Sequence, residues 1–172
     1  FNEYACRLSG IEVLDETSDI IIGGNHVAGR TNNDVDFVEI LQSNTPFMIQ
    51  QIFETFPNII DLLIDESNLQ SISIPDFVQL DFLALYNNNI TRIENRTFSS
   101  QRRLIFIELE NNQIEIIEED ALVGLESLYG LMLIDNRISE LHPRTLHPLT
   151  SVVYLDFRNN LLTRIDGELF SR

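Results

Sequence analysis

The 172-residue sequence contains no lysine, a single cysteine and no apolar run long enough to span a bilayer. One cysteine, Cys6, cannot build a disulfide framework, which excludes the class of small disulfide-stapled proteins. No positively charged segment is followed by an apolar one, so if the protein is secreted we expect this chain to begin after its signal peptide. All eleven basic residues are arginine.

The charge of the chain is strongly one-sided. Eleven basic residues face 27 acidic ones, which gives a formal net charge of −16. This charge disfavours nucleic acid and anionic membranes as partners, because both would be repelled. It favours a protein or peptide with a basic or amphipathic surface. A simpler interpretation is that the charge only keeps the protein soluble.

Residue patterns that carry catalysis are missing. There is no glycine-rich phosphate loop, no nucleophile elbow and no paired-cysteine motif. The three histidines, His26, His142 and His147, lack further ligands at a spacing that would hold a metal. We therefore predict a protein that is not an enzyme and needs no cofactor or metal.

What the sequence does contain is one phrase of apolar residues that recurs five times, with starts 21, 24, 24 and 24 residues apart. In each copy apolar residues fill positions 1, 4, 6 and 11, and Ser or Asn fills position 9. A fixed period in this range is typical of a solenoid, whose usual role is recognition. The copies begin at Ile59, Leu80, Leu104, Leu128 and Val152.

The same register extends back to Val35 and divides the chain. We predict an N-terminal cap over residues 1–34 and six repeats at 35–58, 59–79, 80–103, 104–127, 128–151 and 152–172, the last incomplete. Positions 14 and 19 are apolar in all six repeats, which supports the register independently. Alternation of side chains along a strand predicts strands near 37–41, 61–65, 82–86, 106–110, 130–134 and 154–158.

This pattern resembles the leucine-rich repeat family, in particular the 24-residue class common in extracellular proteins such as Toll-like receptor ectodomains and secreted innate-immune proteins. The resemblance implies an α/β protein: a right-handed, horseshoe-shaped solenoid with a concave parallel β-sheet and a mostly irregular or 3-10 convex side. The position-9 residues Asn88, Asn112, Asn136 and Asn160 are expected to form a hydrogen-bonded ladder. Extracellular members carry a cysteine-stapled cap where Cys6 lies, so Cys6 has either a partner outside this chain or the role of a simple buried thiol.

Both ends of a solenoid must be covered, since a stacked sheet would otherwise expose its apolar core and strand edges. Short apolar runs at 11–14 and 20–22, separated by a polar turn, predict a β-hairpin that caps the first repeat. No second cap follows the last repeat. We therefore expect a continuing native chain or a docked molecule there, and expect Leu155, Phe157 and Phe170 to be more exposed than their counterparts one repeat earlier.

The sharpest functional hypothesis concerns the concave face, which is formed by positions 3, 5 and 7 of each repeat. Apolar and aromatic residues surrounded by acids are the usual anatomy of a protein-binding site, although aromatics on strands also pack against one another. We predict binding of a protein or peptide there, and as the alternative a structural module that self-assembles through this face or the C-terminal edge. The candidate binding residues are Asp61, Asp65, Phe82, Tyr86, Phe106, Glu108, Glu110, Met132, Ile134, Tyr154 and Asp156.

Two N-glycosylation sequons begin at Asn89 and Asn95. The repeat register places Asn95 on the convex turn, where a glycan has room, and Asn89 in a tighter position after the ladder asparagine. Used sequons would require passage through the secretory pathway, so they favour an extracellular location.

Overall fold

The computed structural model describes residues 4–13, 26 and 28–171. Its main element is a parallel sheet of seven short strands, one from each turn of the chain. A second, two-stranded parallel sheet lies on the opposite, convex side. The strands of the main sheet, in spatial order, are β1 (Ala5–Ser9), β2 (Phe37–Leu41), β3 (Asp61–Asp65), β4 (Phe82–Ala84), β6 (Phe106–Glu108), β8 (Gly130–Met132) and β9 (Tyr154–Asp156), and the convex pair is β5 (Arg92–Ile93) and β7 (Ile116–Ile117).

Neighbouring strands of the main sheet are consecutive turns of one solenoid, as the repeat predicts. Each strand pairs in parallel with the strand one repeat later, so that Phe82 lies beside Phe106 and Phe106 beside Gly130. From β2 onward the pairing offsets equal the repeat lengths, which confirms the predicted parallel solenoid. Because sheet register is fixed, residues at the same repeat position form columns across the sheet.

The last four strands are two residues shorter at their C-terminal ends than the sequence predicted, at β4, β6, β8 and β9. Hydrogen bonds between turns nevertheless continue past them, since the Asn87 N–H donates to the Glu110 carbonyl at 3.0 Å and the Asn111 N–H to the Ile134 carbonyl at 3.0 Å. The backbone then enters the left-handed region at position 8 of all six repeats, with φ between 47° and 56°. That bend ends each strand and starts the turn to the convex side.

The core is built from the columns that the repeat predicted. Leu83, Ile107 and Leu131 are fully buried under the sheet, as are Leu85 and Leu109. The position-9 asparagines hold the coils together: Asn88 accepts hydrogen bonds from the N–H groups of Ser67 and Leu69 and donates to two carbonyls at 2.8 and 2.9 Å. Corresponding bonds are made by Asn112, Asn136 and Asn160. The predicted ladder is therefore present.

One member of the apolar position-19 column differs from the others in the preceding repeats. Phe53, Phe98, Leu122 and Leu146 are buried, but Phe77 is 70% exposed. Phe77 lies in the 21-residue repeat, whose shorter convex side brings the next residue, Val78, into the core instead. The first repeat differs in another way, because its convex side contains a short α-helix, α1 (Gln50–Thr55).

The N-terminal region continues the sheet rather than starting with the predicted strand at 11–14. Strand β1 pairs in parallel with β2 from Ala5 beside Phe37 to Ser9 beside Leu41, and of residues 11–13 only Glu12 makes a β-bridge, with Asn44. The second half of the predicted hairpin, at 20–22, lies outside the described residues. Cys6 is a partly buried free thiol on β1, and burial raises its pKa.

The last repeat is the least buried part of the solenoid. Leu155 and Phe157 are only partly buried and Phe170 is 62% exposed, whereas Leu131, Leu133 and Leu146 are buried. This confirms the expected difference between the two repeats. A 3-10 helix at Gly167–Phe170 covers part of the edge by burying Leu169.

Candidate protein-binding face

Strand register brings the predicted binding residues together on one face of the main sheet. The position-3 column runs Asp61, Phe82, Phe106, Gly130, Tyr154. The position-5 column runs Leu63, Ala84, Glu108, Met132, Asp156. At position 7, the hydrogen bonds between turns place Tyr86 beside Glu110, Glu110 beside Ile134 and Ile134 beside Arg158.

Three aromatic rings form a continuous row at the edge of this face where the strands begin. The rings of Phe106 and Tyr129 meet edge to face with centroids 5.6 Å apart, and those of Tyr129 and Tyr154 do so at 5.3 Å. Phe106 is partly buried, Tyr129 is 38% exposed and Tyr154 is 54% exposed. Edge-to-face pairs hold rings in a defined orientation. We call Phe106, Tyr129 and Tyr154 the aromatic strip.

Two exposed aliphatic residues border the aromatic strip. Ile105 is 42% exposed and Val153 is 61% exposed. With Tyr129 they occupy position 2 of three consecutive repeats, one residue before the position-3 column. The sequence analysis considered positions 3, 5 and 7 only and so missed this column, although the run of Ile, Tyr and Val at one repeat position was visible in the sequence.

Apart from Asp61, the acids of the face fall into two groups. Three have partners within the chain: Glu39 pairs with Arg7, Asp65 accepts a hydrogen bond from Asn87 at 2.8 Å, and Asp156 pairs with Arg158 at 2.7 Å. The bonds to Arg158 lower the pKa of Asp156. Since these carboxylates are already satisfied, they have less to offer a partner than their charge suggests.

Glu108 and Glu110 form the second group and have no ion pair among the described residues. Glu108 lies between Ala84 and Met132, and Glu110 between Tyr86 and Ile134, so the neighbours across the sheet supply no positive charge. Burial raises the pKa of both carboxyls. For Glu110 the nearby charge of Glu108 adds to that rise, and its Oε2 atom is buried without a hydrogen-bond partner in the described structure.

Tyr86 shows how negative this part of the face is. Burial raises the pKa of its hydroxyl, and the charges of Asp65, Glu108, Glu39 and Glu110 raise it further. The Tyr86 ring therefore lies among carboxylates that come from β2, β3, β6 and the turn after β6. An arginine or lysine brought here would gain charge-assisted hydrogen bonds and contact with an aromatic ring.

The two sequons differ in their surroundings. Asn89 is partly buried in an outer row of amides, where its Nδ2 donates to the Asn68 Oδ1 and its Oδ1 accepts from the Gln113 Nε2 at 2.8 Å. Asn95 is exposed on the convex turn, and its Oδ1 accepts from the Asp120 N–H at 2.8 Å. Glycosylation at either position remains a prediction.

Each of the three histidines contacts polar groups of the chain itself. His26 contacts the Tyr4 hydroxyl and Asn32, His142 lies 3.5 Å from Glu119, and His147 contacts the Glu168 carbonyl at 2.9 Å. Across residues 4–13, 26 and 28–171 no group of three or more His, Cys, Asp or Glu side chains is arranged to hold a metal ion. Nor does any helix in this part of the chain have the length and apolar character needed to cross a membrane.

Comparison with known sequences gives the same family as the repeat. A family model described as leucine rich repeat matches residues 78–133. Osteomodulin of Bos taurus is 27% identical over 123 residues, which cover 70% of this chain and 28% of osteomodulin. Keratocan of Danio rerio is 30% identical over 115 residues, which cover 66% of this chain and 32% of keratocan. The chain thus spans about a third of the length of these relatives.

One matched relative has the name of an enzyme, the adenylate cyclase of Podospora anserina, at 27% identity over 148 residues. That match covers 81% of this chain but only 6% of the cyclase.

Solved structures share the fold at low sequence identity. The TLR13–ssRNA13 complex gives a TM-score of 0.68 at 20% identity over 77% of this chain and 19% of that one. The Toll–Spatzle complex of Drosophila gives 0.59 at 19% identity over 80% and 20%. Because the first of these structures contains RNA, the fold by itself does not exclude nucleic acid, and that exclusion rests only on the net charge of −16.

The 24-residue period, the parallel solenoid and the asparagine ladder define a repeat protein whose broad surface is a sheet face rather than a cleft. Together with the family match over residues 78–133 and the matched relatives, they support a leucine-rich repeat family of the extracellular type.

Proposed function

We propose that this chain is an extracellular recognition module that binds a protein or peptide on its concave face. The observation that carries the proposal is the combination of the aromatic strip with Glu108 and Glu110, which lie next to it without a cation among the described residues. Exposed apolar patches of this kind mark interaction sites more often than chance. The aromatic rings would supply most of the affinity, since a few central residues dominate an interface.

The partner that fits this face presents an apolar side chain beside an arginine or lysine. Glu108 and Glu110 would meet that basic residue and govern association rate and salt dependence more than final affinity. The net charge of −16 would steer a basic partner over a longer range. A role of this binding in innate immunity or cell–cell contact is supported by the resemblance to receptor and secreted members of the family, and by the fold shared with the Toll–Spatzle complex.

Quantitative capture tests the proposal. The immobilised wild-type chain, a Phe106→Ala/Tyr154→Ala variant and an Ile116→Ala variant are exposed to the same extracellular fluid, and bound proteins are compared by mass spectrometry. Ile116 is a matched control because it is 48% exposed on the convex side. A specific partner should be retained by wild type and Ile116→Ala and lost from the double variant. Equal retention by all three would refute binding on the concave face.

A single substitution measures the size of the effect. With a captured partner, Phe106→Ala should weaken binding by about 2 kcal/mol or more, as expected for a central aromatic contact. Glu110→Gln should mainly slow association at low salt. RNA of matched concentration added as a competitor should not displace the partner, and displacement would revive nucleic acid as a ligand.

The alternative is a structural module that self-assembles. It is favoured by the apolar surface of the last repeat, where Leu161, Ile165 and Phe170 are each at least 59% exposed. Sedimentation velocity over a range of concentrations distinguishes the two proposals. Self-association that disappears in Leu161→Ser/Phe170→Ser but persists in Phe106→Ala/Tyr154→Ala would support assembly through this edge.

We also propose that Asn95 carries an N-glycan when the chain passes through a secretory pathway. Its side chain is exposed on the convex turn, away from the concave face, so a glycan there leaves the proposed binding surface open. Expression in a secretory host with Asn95→Gln and Asn89→Gln variants tests this by mass. Loss of glycan mass only in Asn95→Gln is the expected result, and an unchanged mass in that variant would refute it.

A further inference from the structure

Gly130 interrupts the position-3 column in an unusual way. Its neighbours across the sheet, Phe106 and Tyr154, have large aromatic side chains. Glycine within a strand lowers stability, because it loses more backbone entropy on folding and has no side chain to pack. Gly130 also does not need to be glycine for its backbone, since it is not among the residues with positive φ. A reason for glycine at this position must therefore come from its surroundings.

Those surroundings are the ring of Phe106. A Cβ atom added at Gly130 would lie 2.6 Å from the Phe106 Cδ1 and 2.7 Å from its Cε1. Both distances are shorter than carbon atoms tolerate without moving apart. The ring of Phe106 thus occupies the space that a side chain at position 130 would fill, and leans across strand β8 toward the next repeat.

This lean is what connects the aromatic strip. Tyr129 belongs to the same repeat as Gly130, and its ring meets Phe106 edge to face at 5.6 Å and Tyr154 at 5.3 Å. If the Phe106 ring stood over its own strand, it would lie farther from Tyr129. The strip would then be divided into Phe106 alone and the Tyr129–Tyr154 pair.

We propose that Gly130 is a positioning residue of the binding face: its missing side chain lets Phe106 lie across β8 and join Tyr129 and Tyr154 in one continuous aromatic surface. The arrangement exists in the free protein, so a partner does not have to order these rings when it binds, and ordering side chains is one of the costs of association. The role in binding depends on the function proposed above. The placement of the Phe106 ring by Gly130 does not.

Gly130→Ala is the direct test, because it adds one methyl group against a side chain that can rotate away rather than against the backbone. The variant should fold with a circular dichroism spectrum like that of wild type. In NMR spectra of the free protein, nuclear Overhauser contacts between the Phe106 and Tyr129 rings should be lost. Gly167→Ala is a matched control, since a Cβ there meets nothing within 4 Å, and it should retain those contacts. Retention of the ring contacts in Gly130→Ala would overturn the positioning role.

Binding then separates this inference from the proposed function. Toward a protein captured on the wild-type chain, Gly130→Ala should weaken affinity by about the same factor as Phe106→Ala, on the order of thirtyfold or more, which corresponds to about 2 kcal/mol for a central aromatic residue. The Phe106→Ala/Gly130→Ala double variant should bind no more weakly than Phe106→Ala alone. If Phe106→Ala weakens binding and Gly130→Ala does not, ring placement is unimportant and the positioning role is wrong, while the binding face stands. If Phe106→Ala binds as tightly as wild type, the proposed face itself is wrong.

Discussion

Asn112→Ala tests the ladder that holds consecutive turns together. The Asn112 Oδ1 accepts a hydrogen bond from the Ile90 N–H at 3.0 Å. Its Nδ2 donates to the carbonyls of Leu85, Leu109 and Glu110 at 2.8, 3.2 and 3.3 Å. Asn112 is only 7% exposed, so water reaches these groups poorly in the folded protein.

The magnitude follows from which groups lose their partner in the variant. The Leu109 carbonyl still accepts from Asn136, and the Glu110 carbonyl still accepts from the Asn87 N–H. Two groups remain without another partner in the described structure, the Ile90 N–H and the Leu85 carbonyl. A buried polar group left unsatisfied costs about 1–3 kcal/mol, so two such groups would cost about 2–6 kcal/mol. Because water that enters the space left by the side chain satisfies part of this need, we expect Asn112→Ala to lower the free energy of unfolding by about 2–4 kcal/mol.

Equilibrium unfolding in urea, followed by far-ultraviolet circular dichroism, measures this loss. Gln113→Ala is the matched control, because Gln113 is the next residue, is only partly buried and donates to a single side chain, Asn89. It should cost about 0.5 kcal/mol or less, as expected for one accessible polar contact. A loss for Asn112→Ala that is no larger than the loss for Gln113→Ala would refute the ladder as a source of stability.

Three further substitutions test other parts of the account. Gly124→Ala should lower the unfolding free energy by about 2 kcal/mol or more, because φ is +100° and a Cβ would lie 2.2 Å from the Phe98 carbonyl oxygen; urea unfolding no different from wild type would contradict this. Glu66→Asn should raise it by about 0.5–1 kcal/mol, since φ is +47° and asparagine tolerates the left-handed region better than glutamate; a lower urea midpoint would contradict it. Glu110→Gln should raise the free energy of unfolding relative to wild type by an amount that grows with pH. Folding raises the pKa of the Glu110 carboxyl, so this group stabilises the fold below its unfolded pKa and loses that contribution as pH rises through the folded pKa. The variant should therefore be close to wild type at pH 4 and increasingly more stable than wild type toward pH 7, and a difference that stays constant over this range would contradict the desolvation of Glu110.

The sequence predicted the solenoid well because its signal is collective. Leu83, Ile107 and Leu131 recur at one repeat position, and only stacking of the repeats can bury all of them. The asparagine ladder was predictable for the same reason, since Asn112 and Asn136 recur where the turn needs an amide. The repeat is less informative where one copy departs from the others, as at Phe77, whose exposure follows from the shortened convex side rather than from its own residue type.

The candidate site was less predictable because its properties arise between repeats. That Asp156 is paired with Arg158 depends on the conformation of two side chains. That Glu108 and Glu110 lack a cation depends on which residues the neighbouring strands place beside them. Tyr129 was missed because it precedes its strand, and its contact with Phe106 depends on the space left by Gly130.

Hydroxyl-radical footprinting of the chain with and without its partner tests the central claim most directly. The method reports solvent access to aromatic, aliphatic and sulfur-containing side chains one by one. Binding on the concave face predicts protection of Phe106, Met132, Tyr129 and Tyr154, with no change at Phe77 and Ile116 on the convex side. Protection at Phe77 and Ile116, with the aromatic strip as reactive as in the free chain, would contradict the account.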